Sequence, residues 1–211
     1  MKFDMEALTP ALQYKLLIST VMPRPIALVT TADAAGNQNA APYSFFNTMG
    51  ENPAVLVLGL QEKPSRALKD TTVNIQETGQ FVVHTVDESI VEAMEICSID
   101  FPTGISEATA AGLTLVPSDR VKPQRILEAP VAFECEKIAI IQVSPGRQIA
   151  IGKVLTLHIR DGLIDPDTLR VDIAKYRPVG RLSGGLYSRT RDYFEVPRPA
   201  TYEDWLAAQK P

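Results

Sequence analysis

Residues 130–160 read PVAFECEKIAIIQVSPGRQIAIGKVLTLHIR. Two apolar, β-branched runs, Pro130 to Val143 and Gln148 to Arg160, flank Ser144-Pro145-Gly146-Arg147. Pro and Gly side by side mark a turn, so the stretch predicts two long antiparallel strands. In the first, Val131, Phe133 and Cys135 alternate with Ala132, Glu134 and Glu136, the period of a half-buried sheet. Upstream, PIALVTT at 25–31, the turn Ala34-Ala35-Gly36-Asn37 and a return strand from Asn39 to Phe46 predict a second hairpin. Ala54 to Leu60, AVLVLGL, is almost continuously apolar and reads as a buried strand. Gln80 to Val86, QFVVHTV, is another. Taken alone, the strand–helix–strand order across 54–86 would suit a parallel α/β fold. The hairpins on both sides of it argue against that. Many strands at short spacing with few helices predict a mainly β class, a β-barrel with added helices, in one domain spanning 1–211.

Between the two apolar strands lies KPSRALKDTTVNIQETG, residues 63–79, the densest cluster of chemistry in the chain. Asp70 is the expected N-cap of a helix that Thr71 and Thr72 open and Gly79 ends. A helix N-terminus carries unpaired N–H groups and attracts an anion. Ser65 and Thr71 add neutral donors, Lys63 and Lys69 add cations, and Arg66 offers a fork that matches a phosphate. The segment therefore reads either as a phosphate cradle or as a solvated loop before an ordinary helix. Neither a GxxxxGK[ST] loop nor a GxGxxG fingerprint occurs in the chain. A second helix is expected over Ser89 to Cys97, with Ser89 and Glu92 as a capping box and Ile90, Met94 and Cys97 on one face. Phe101 to Arg125 is irregular, with a short helix over Ser106 to Ala111, and reads as a flap or an interface loop. Thr201 is placed to cap a last helix carrying Trp205 and Leu206.

Composition narrows the classes. The chain has 211 residues, 45% hydrophobic and 22% charged, which suits one large globular domain. A net charge of −4 without a basic run argues against nucleic acid. No apolar run is long enough to span a bilayer, and the acidic N-terminus is unlike a signal peptide. Cys97 and Cys135 are far apart and form no CxxC, so neither a disulfide framework nor a zinc site is expected, and a cytoplasmic setting follows. His84 and His158 fall within strands. Without a GxSxG elbow, they read as structural histidines.

In order along the chain, MPRPIALVTT (22–31), GNQNAAPYSFFN (36–47), NPAVLVLGL (52–60), KPSRALKDTTVNI (63–75) and GQFVVHTV (79–86) are followed late by YRPVGRLSGGLYSRT (176–190). This order resembles the flavin reductase-like, FMN-binding split-barrel family, in its longer flavoredoxin-like form. The resemblance implies a six-stranded antiparallel Greek-key barrel, a homodimer, and FMN near the subunit interface. It implies that Ala41, Pro42, Tyr43, Ser44, Phe45 and Asn47 run beside the isoalloxazine ring. Ser65, Arg66, Lys69 and Thr71 would hold the 5′-phosphate, with Asp70 capping the helix or orienting Lys69. Arg24 and, more weakly, Arg181 with Tyr187 would approach the flavin. The implied activity is hydride transfer from NADH or NADPH to FMN, with electrons passed to free flavin, a partner oxygenase or another acceptor. No catalytic side chain is required, because the flavin carries the chemistry. Two other readings stand beside this one: an FMN electron carrier without a nicotinamide site, and a barrel with no cofactor.

Overall fold

The computed structural model describes residues 1–63, 65–102 and 104–209. Its first half runs α1 (Pro10–Thr20), β1 (Arg24–Pro25), β2 (Ala27–Ala32), β3 (Gln38–Tyr43), β4 (Phe46–Glu51), β5 (Ala54–Gln61), α2 (Asp70–Thr78) and β6 (Gln80–Thr85). There follow α3 (Val91–Ile96), α4 (Glu107–Ala110), β7 (Leu115–Val116), β8 (Arg125–Ile126), β9 (Val131–Ser144) and β10 (Arg147–Ile159). The hairpin β11 (Val179–Arg181) and β12 (Tyr187–Arg189) and the helix α5 (Tyr202–Ala208) complete the chain.

Seven strands form one sheet in the order β3-β2-β6-β9-β10-β5-β4. Every neighbouring pair is antiparallel. This removes the parallel α/β alternative: α2 carries the chain from β5 past β10 and β9 to β6, which is not its neighbour. The seventh strand, one more than expected, arises because the return strand expected over 39–46 breaks at Ser44-Phe45. Tyr43 pairs with Ala27, whereas Phe46 pairs with Leu58. At the break the Gly59 N–H donates to the Phe45 carbonyl at 2.7 Å. A Cβ on Gly59 would stand 2.7 Å from the Phe45 Cβ, so this approach requires glycine.

The sheet curls round one apolar interior, to which Val29, Leu56, Leu58, Leu60, Phe81, Cys135 and Ala150 contribute from five strands. Ile75 of α2 enters the same cluster and closes one end. Because only one face of β5 points inward, Leu56, Leu58 and Leu60 are buried while Val55 and Val57 are half-buried. The expected fully buried strand is thus a half-buried one. Phe81 is completely inaccessible, and its ring fills the space that a side chain at Gly152 would need. Burial of a ring of this size stabilises by about 1.5–3 kcal/mol.

A second apolar layer lies outside the barrel. Ile90, Met94 and Cys97 of the α3 region and Ala108 of α4 pack with Leu28 and Ala40. The shared face expected for Ile90, Met94 and Cys97 is the buried one. The expected caps shift, however. Ile90, not Ser89, is the N-cap of α3 and makes no side-chain cap, because the Ser89 hydroxyl and N–H are both held by the Asp87 carboxylate. Lys69, not Asp70, is the N-cap of α2, and Asp70 instead pairs with Lys63 at 3.1 Å. Gly79 ends α2 as expected, at φ 72° with its N–H on the Ile75 carbonyl. Ser106 caps α4, and Thr201 and Asp204 form a capping box on α5. Among the described residues no helix is long and apolar enough to cross a membrane.

One expectation on β9 fails. Strand alternation puts Glu134 on the wet face, yet it is completely buried. The irregular segment before β9 covers that face: the backbone N–H groups of Asp119 and Arg120 donate to the Glu134 carboxylate at 2.8 and 2.6 Å.

Candidate functional site

At the N-terminus of α2 lies a small cavity of about 60 Å³, lined by Asn39, Lys63, Lys69, Thr71 and Glu107 among others. Lys69 makes no side-chain cap, so the first N–H groups of the helix are left for another partner. The helix is fixed in place by amides and hydroxyls. Asn39 donates to the Thr71 hydroxyl at 2.9 Å, and Asn74 donates to the Thr31 hydroxyl at 3.0 Å. Three carboxylates, Asp70, Asp100 and Glu107, flank the cavity; Asp100 is exposed, and the other two are held. Asp70 is paired with Lys63, and Glu107 accepts the Ala40 N–H at 2.9 Å. Burial pushes the Glu107 carboxyl above the usual range, against the pull of that hydrogen bond.

The cavity shares Pro42, Lys69 and Ser98 with a larger cleft of about 400 Å³. Pro42, Tyr43 and Ser44 at the end of β3 line part of the cleft; Met94 and Glu95 of α3 and Arg181 and Tyr187 of β11–β12 line much of the rest. Here Glu95 Oε2 accepts both from Arg181 Nη1, at 3.3 Å, and from the Tyr187 hydroxyl. The Arg181 guanidinium lies over the Tyr187 ring, 4.6 Å from its centroid. Burial, followed by the bond to Glu95, pushes the Tyr187 hydroxyl up to about 12, so it stays protonated. A third cavity, of about 480 Å³, is bordered by Gln13, Tyr14 and Leu17 of α1 and shares Tyr14, Pro42, Tyr43, Ser44 and Gln61 with the cleft.

The residues expected around a flavin divide into two groups. Ala41, Pro42, Lys69, Asp70 and Thr71 line the small cavity; Arg24, Pro42, Tyr43, Ser44, Lys69 and Arg181 line the cleft. Phe45 lines the third cavity, with its ring 6.1 Å from that of Tyr14. Asn47 is exposed on β4 and accepts the Thr48 N–H at 2.8 Å. Ser65 and Arg66 are exposed on the turn before α2. Arg66 adopts φ 63°, a left-handed backbone uncommon for any residue but glycine. Tyr43 is 6% exposed, and its hydroxyl has no protein partner among the described residues. Sequence reasoning missed Asn39, Glu95 and Glu107 as lining residues.

Arg24 is not an open anion site. It is buried, and its guanidinium donates to the carbonyls of Ile18 at 2.6 Å, Val21 at 2.7 Å and Leu182 at 2.7 Å. Its Nε reaches the Ser44 hydroxyl at 3.4 Å. It ties the end of α1, the end of β3 and the β11–β12 hairpin together around the cleft.

Of the histidines and cysteines, only Cys97 is among the residues that line the small cavity. His84 is fully buried; Nδ1 contacts the Leu28 carbonyl at 2.9 Å, and Nε2 accepts the Ile126 N–H at 3.0 Å. Burial lowers its pKa to about 4, which keeps the ring neutral. Cys97 and Cys135 are free and buried, and burial pushes both thiols up to about 12, which leaves them inert as nucleophiles.

The sequence signature of the flavin reductase like domain matches residues 18–180. The chain belongs to that family. Among solved structures it is 42% identical to the 2-nitrobenzoate 2-nitroreductase NbaA of Pseudomonas fluorescens, covering 95% of this chain and 97% of that one, with a TM-score of 0.86. It is 32% identical to nitrilotriacetate monooxygenase component B of Bacillus cereus, with coverage of 93% and 98% and a TM-score of 0.87. Flavoredoxin of Desulfovibrio vulgaris (Miyazaki F) shares the fold at 20% identity, coverage of 95% and 99%, and a TM-score of 0.74. The mainly β architecture and the flavin reductase-like family thus agree with the reading of the sequence.

Proposed function

We propose that this protein is an FMN-dependent oxidoreductase that takes hydride from NADH or NADPH and passes the electrons to free flavin, a partner oxygenase or a small-molecule acceptor. The observation that carries this is the pairing of two cavities: a small one at a helix N-terminus shares Pro42, Lys69 and Ser98 with a cleft lined by the end of β3. The donor set fits the cofactor. Lys69, Lys63, Thr71 and the first N–H groups of α2 would hold the phosphate. Arg66 and Ser65, on the turn that leads into the helix, are assigned to the same group. Ala41, Pro42 and Ser44 would lie along the ring, where small side chains admit close backbone approach. Arg24 fixes these walls rather than binding the ligand. The flavin, once bound, supplies the hydride and electron chemistry. The chain orients it and keeps Tyr187 protonated beside the cleft.

The nitroreductase and monooxygenase-component relatives support a role in which reduced flavin serves either a small acceptor or an oxygenase. Ile138, Ile141, Val143 and Ile149, exposed on β9 and β10, support pairing with a second copy of the chain. Two free cysteines suit a reducing, cytoplasmic setting.

The test is an absorbance spectrum of the purified protein, followed by anaerobic addition of NADH and then NADPH. A flavin spectrum that bleaches is expected, and the faster donor names the preference. A flavin spectrum that neither nucleotide bleaches would make the protein an electron carrier. A colourless protein that does not take up FMN would overturn the reading.

A further inference from the structure

The charge of the cleft exceeds what the flavin reading uses. Three cations, Arg24, Lys69 and Arg181, line it against one carboxylate, Glu95. The Arg24 guanidinium is occupied by backbone carbonyls, and Lys69 also lines the phosphate-sized cavity. Arg181 remains. Among the described residues it is held through Nη1 alone, by one oxygen of Glu95 and by the Tyr187 hydroxyl. Guanidinium groups pair best with carboxylates through two parallel bonds, and this pair is not so arranged. The side chains of Arg181 and Glu95 are 25% and 51% exposed, and pairs this open are weak. Exchanging Glu95 for another carboxylate is therefore inexpensive. The apolar body of such a ligand would meet the half-buried Tyr187 ring, which lines the same cleft.

We infer that the cleft takes a small aromatic carboxylate as its second substrate, whose carboxylate displaces Glu95 from Arg181. Glu95 acts as a stand-in for the ligand when the cleft is empty, and Arg181 sets specificity for an anion. The inference rests on the FMN reading, because the flavin ring would form another face of the subsite. It predicts effects of opposite sign from two residues that bond each other. Glu95→Gln removes the competitor and tightens anion binding; Arg181→Ala removes the receptor and weakens it. A pair that only braces the β11–β12 hairpin would not separate in this way.

The experiment titrates the FMN-loaded, full-length protein with benzoate and with its neutral isostere benzamide, following the flavin absorbance. Benzoate is expected to bind about tenfold more tightly than benzamide, one charge-assisted hydrogen bond's worth. Glu95→Gln should widen that ratio by roughly threefold or more, and Arg181→Ala should bring it close to one. Glu95→Gln and Arg181→Lys preserve shape and keep the test decisive if Arg181→Ala does not fold; the lysine variant should fall between the unaltered protein and the alanine variant. A ratio near one in the unaltered protein, or one that neither substitution moves, would overturn the inference. So would an Arg181 variant that loses FMN affinity while its benzoate-to-benzamide ratio stays put, since the guanidinium would then serve the flavin itself. Failure to load FMN at all is read directly in the starting spectrum and would bring down the cofactor reading, with the inference that rests on it.

Discussion

On the covered face of β9 and in the cleft, the same chemistry is built twice, with opposite consequences. Glu134 is completely buried and accepts the backbone N–H groups of Asp119 and Arg120 and, at 2.7 Å, His158 Nε2. Arg125 Nε lies 3.9 Å away. Burial would push the Glu134 carboxyl up, but these donors outweigh it and hold the carboxyl below the usual range. Glu95 also meets an arginine and a ring-bearing donor, yet its partners are side chains only, and half of it faces solvent. Backbone donors cannot turn away, so the first cluster is part of the frame. Side-chain donors can, so the second is able to exchange partners.

The sharpest way to break this comparison is to truncate both carboxylates. Glu134→Ala leaves two backbone N–H groups, the His158 ring and a nearby guanidinium without the buried carboxylate they face. A loss of about 3–5 kcal/mol is expected, which lowers the thermal midpoint of a chain this size by roughly 10 °C. Glu95→Ala should cost no more than about 1 kcal/mol. Thermal melts of the two variants side by side check it; equal shifts would mean that the cleft pair is as structural as the buried one.

His84 extends the frame side of the comparison. Its folded pKa, about 4, lies below the ordinary value of 6.5. The unfolded chain therefore binds more protons between those values, and stability rises with pH there. The contribution is complete above about pH 6.5 and is lost as pH falls towards 4, amounting to about 3 kcal/mol. Urea midpoints measured from pH 7 to 4.5 should fall more steeply in the unaltered protein than in His84→Gln. Parallel profiles would show that the ring is not held neutral by the fold.

Two arginines sharpen the contrast on the ligand side. Arg24 has its donors occupied by the protein, whereas Arg66 is exposed on a left-handed turn at the approach to α2. Arg66→Ala should weaken FMN binding by about 1.5–3 kcal/mol, if a charge-assisted hydrogen bond is lost, and leave the melting temperature almost unmoved. Ser65→Ala should weaken it less, since a hydroxyl is a neutral donor. Unchanged FMN affinity in Arg66→Ala, measured by flavin fluorescence titration, would remove that residue from the phosphate shell.

The parts legible in the sequence are those written in local pattern. Alternation, β-branching and Pro-Gly turns place the long pair β9–β10, and Gly79 marks the end of α2. The break at Ser44-Phe45 is not legible, because it depends on Gly59, a residue of another strand, admitting the Phe45 backbone. Nor is the burial of Glu134, since an irregular segment covers it and irregular segments carry no period. For the site, the segment 63–79 can be read as an anion cradle from its residues alone, but its polar neighbours Asn39, Glu95 and Glu107 come from a strand and two helices remote in sequence. Arg24 is visible as a functional type of residue in a rigid PRP bend. Only the fold shows that backbone carbonyls claim it first.

The smallest expected effect is at the C-terminus. α5 has a complete capping box but buries none of its residues, and Trp205 is 45% exposed and stacked on Tyr202 at 5.7 Å. A helix of seven residues is too short to be stable by itself in water. Its capping box therefore supplies order that packing within one chain does not. Neither frame nor cleft depends on it, so Trp205→Ala should change FMN affinity by no more than about 0.5 kcal/mol and stability by a similar amount. Flavin titration and a melt of the same variant check both. A large loss of FMN affinity would place the arm over the cleft and make Trp205 part of the site, and the division between a fixed frame and an exchangeable cleft would then have to include a third wall.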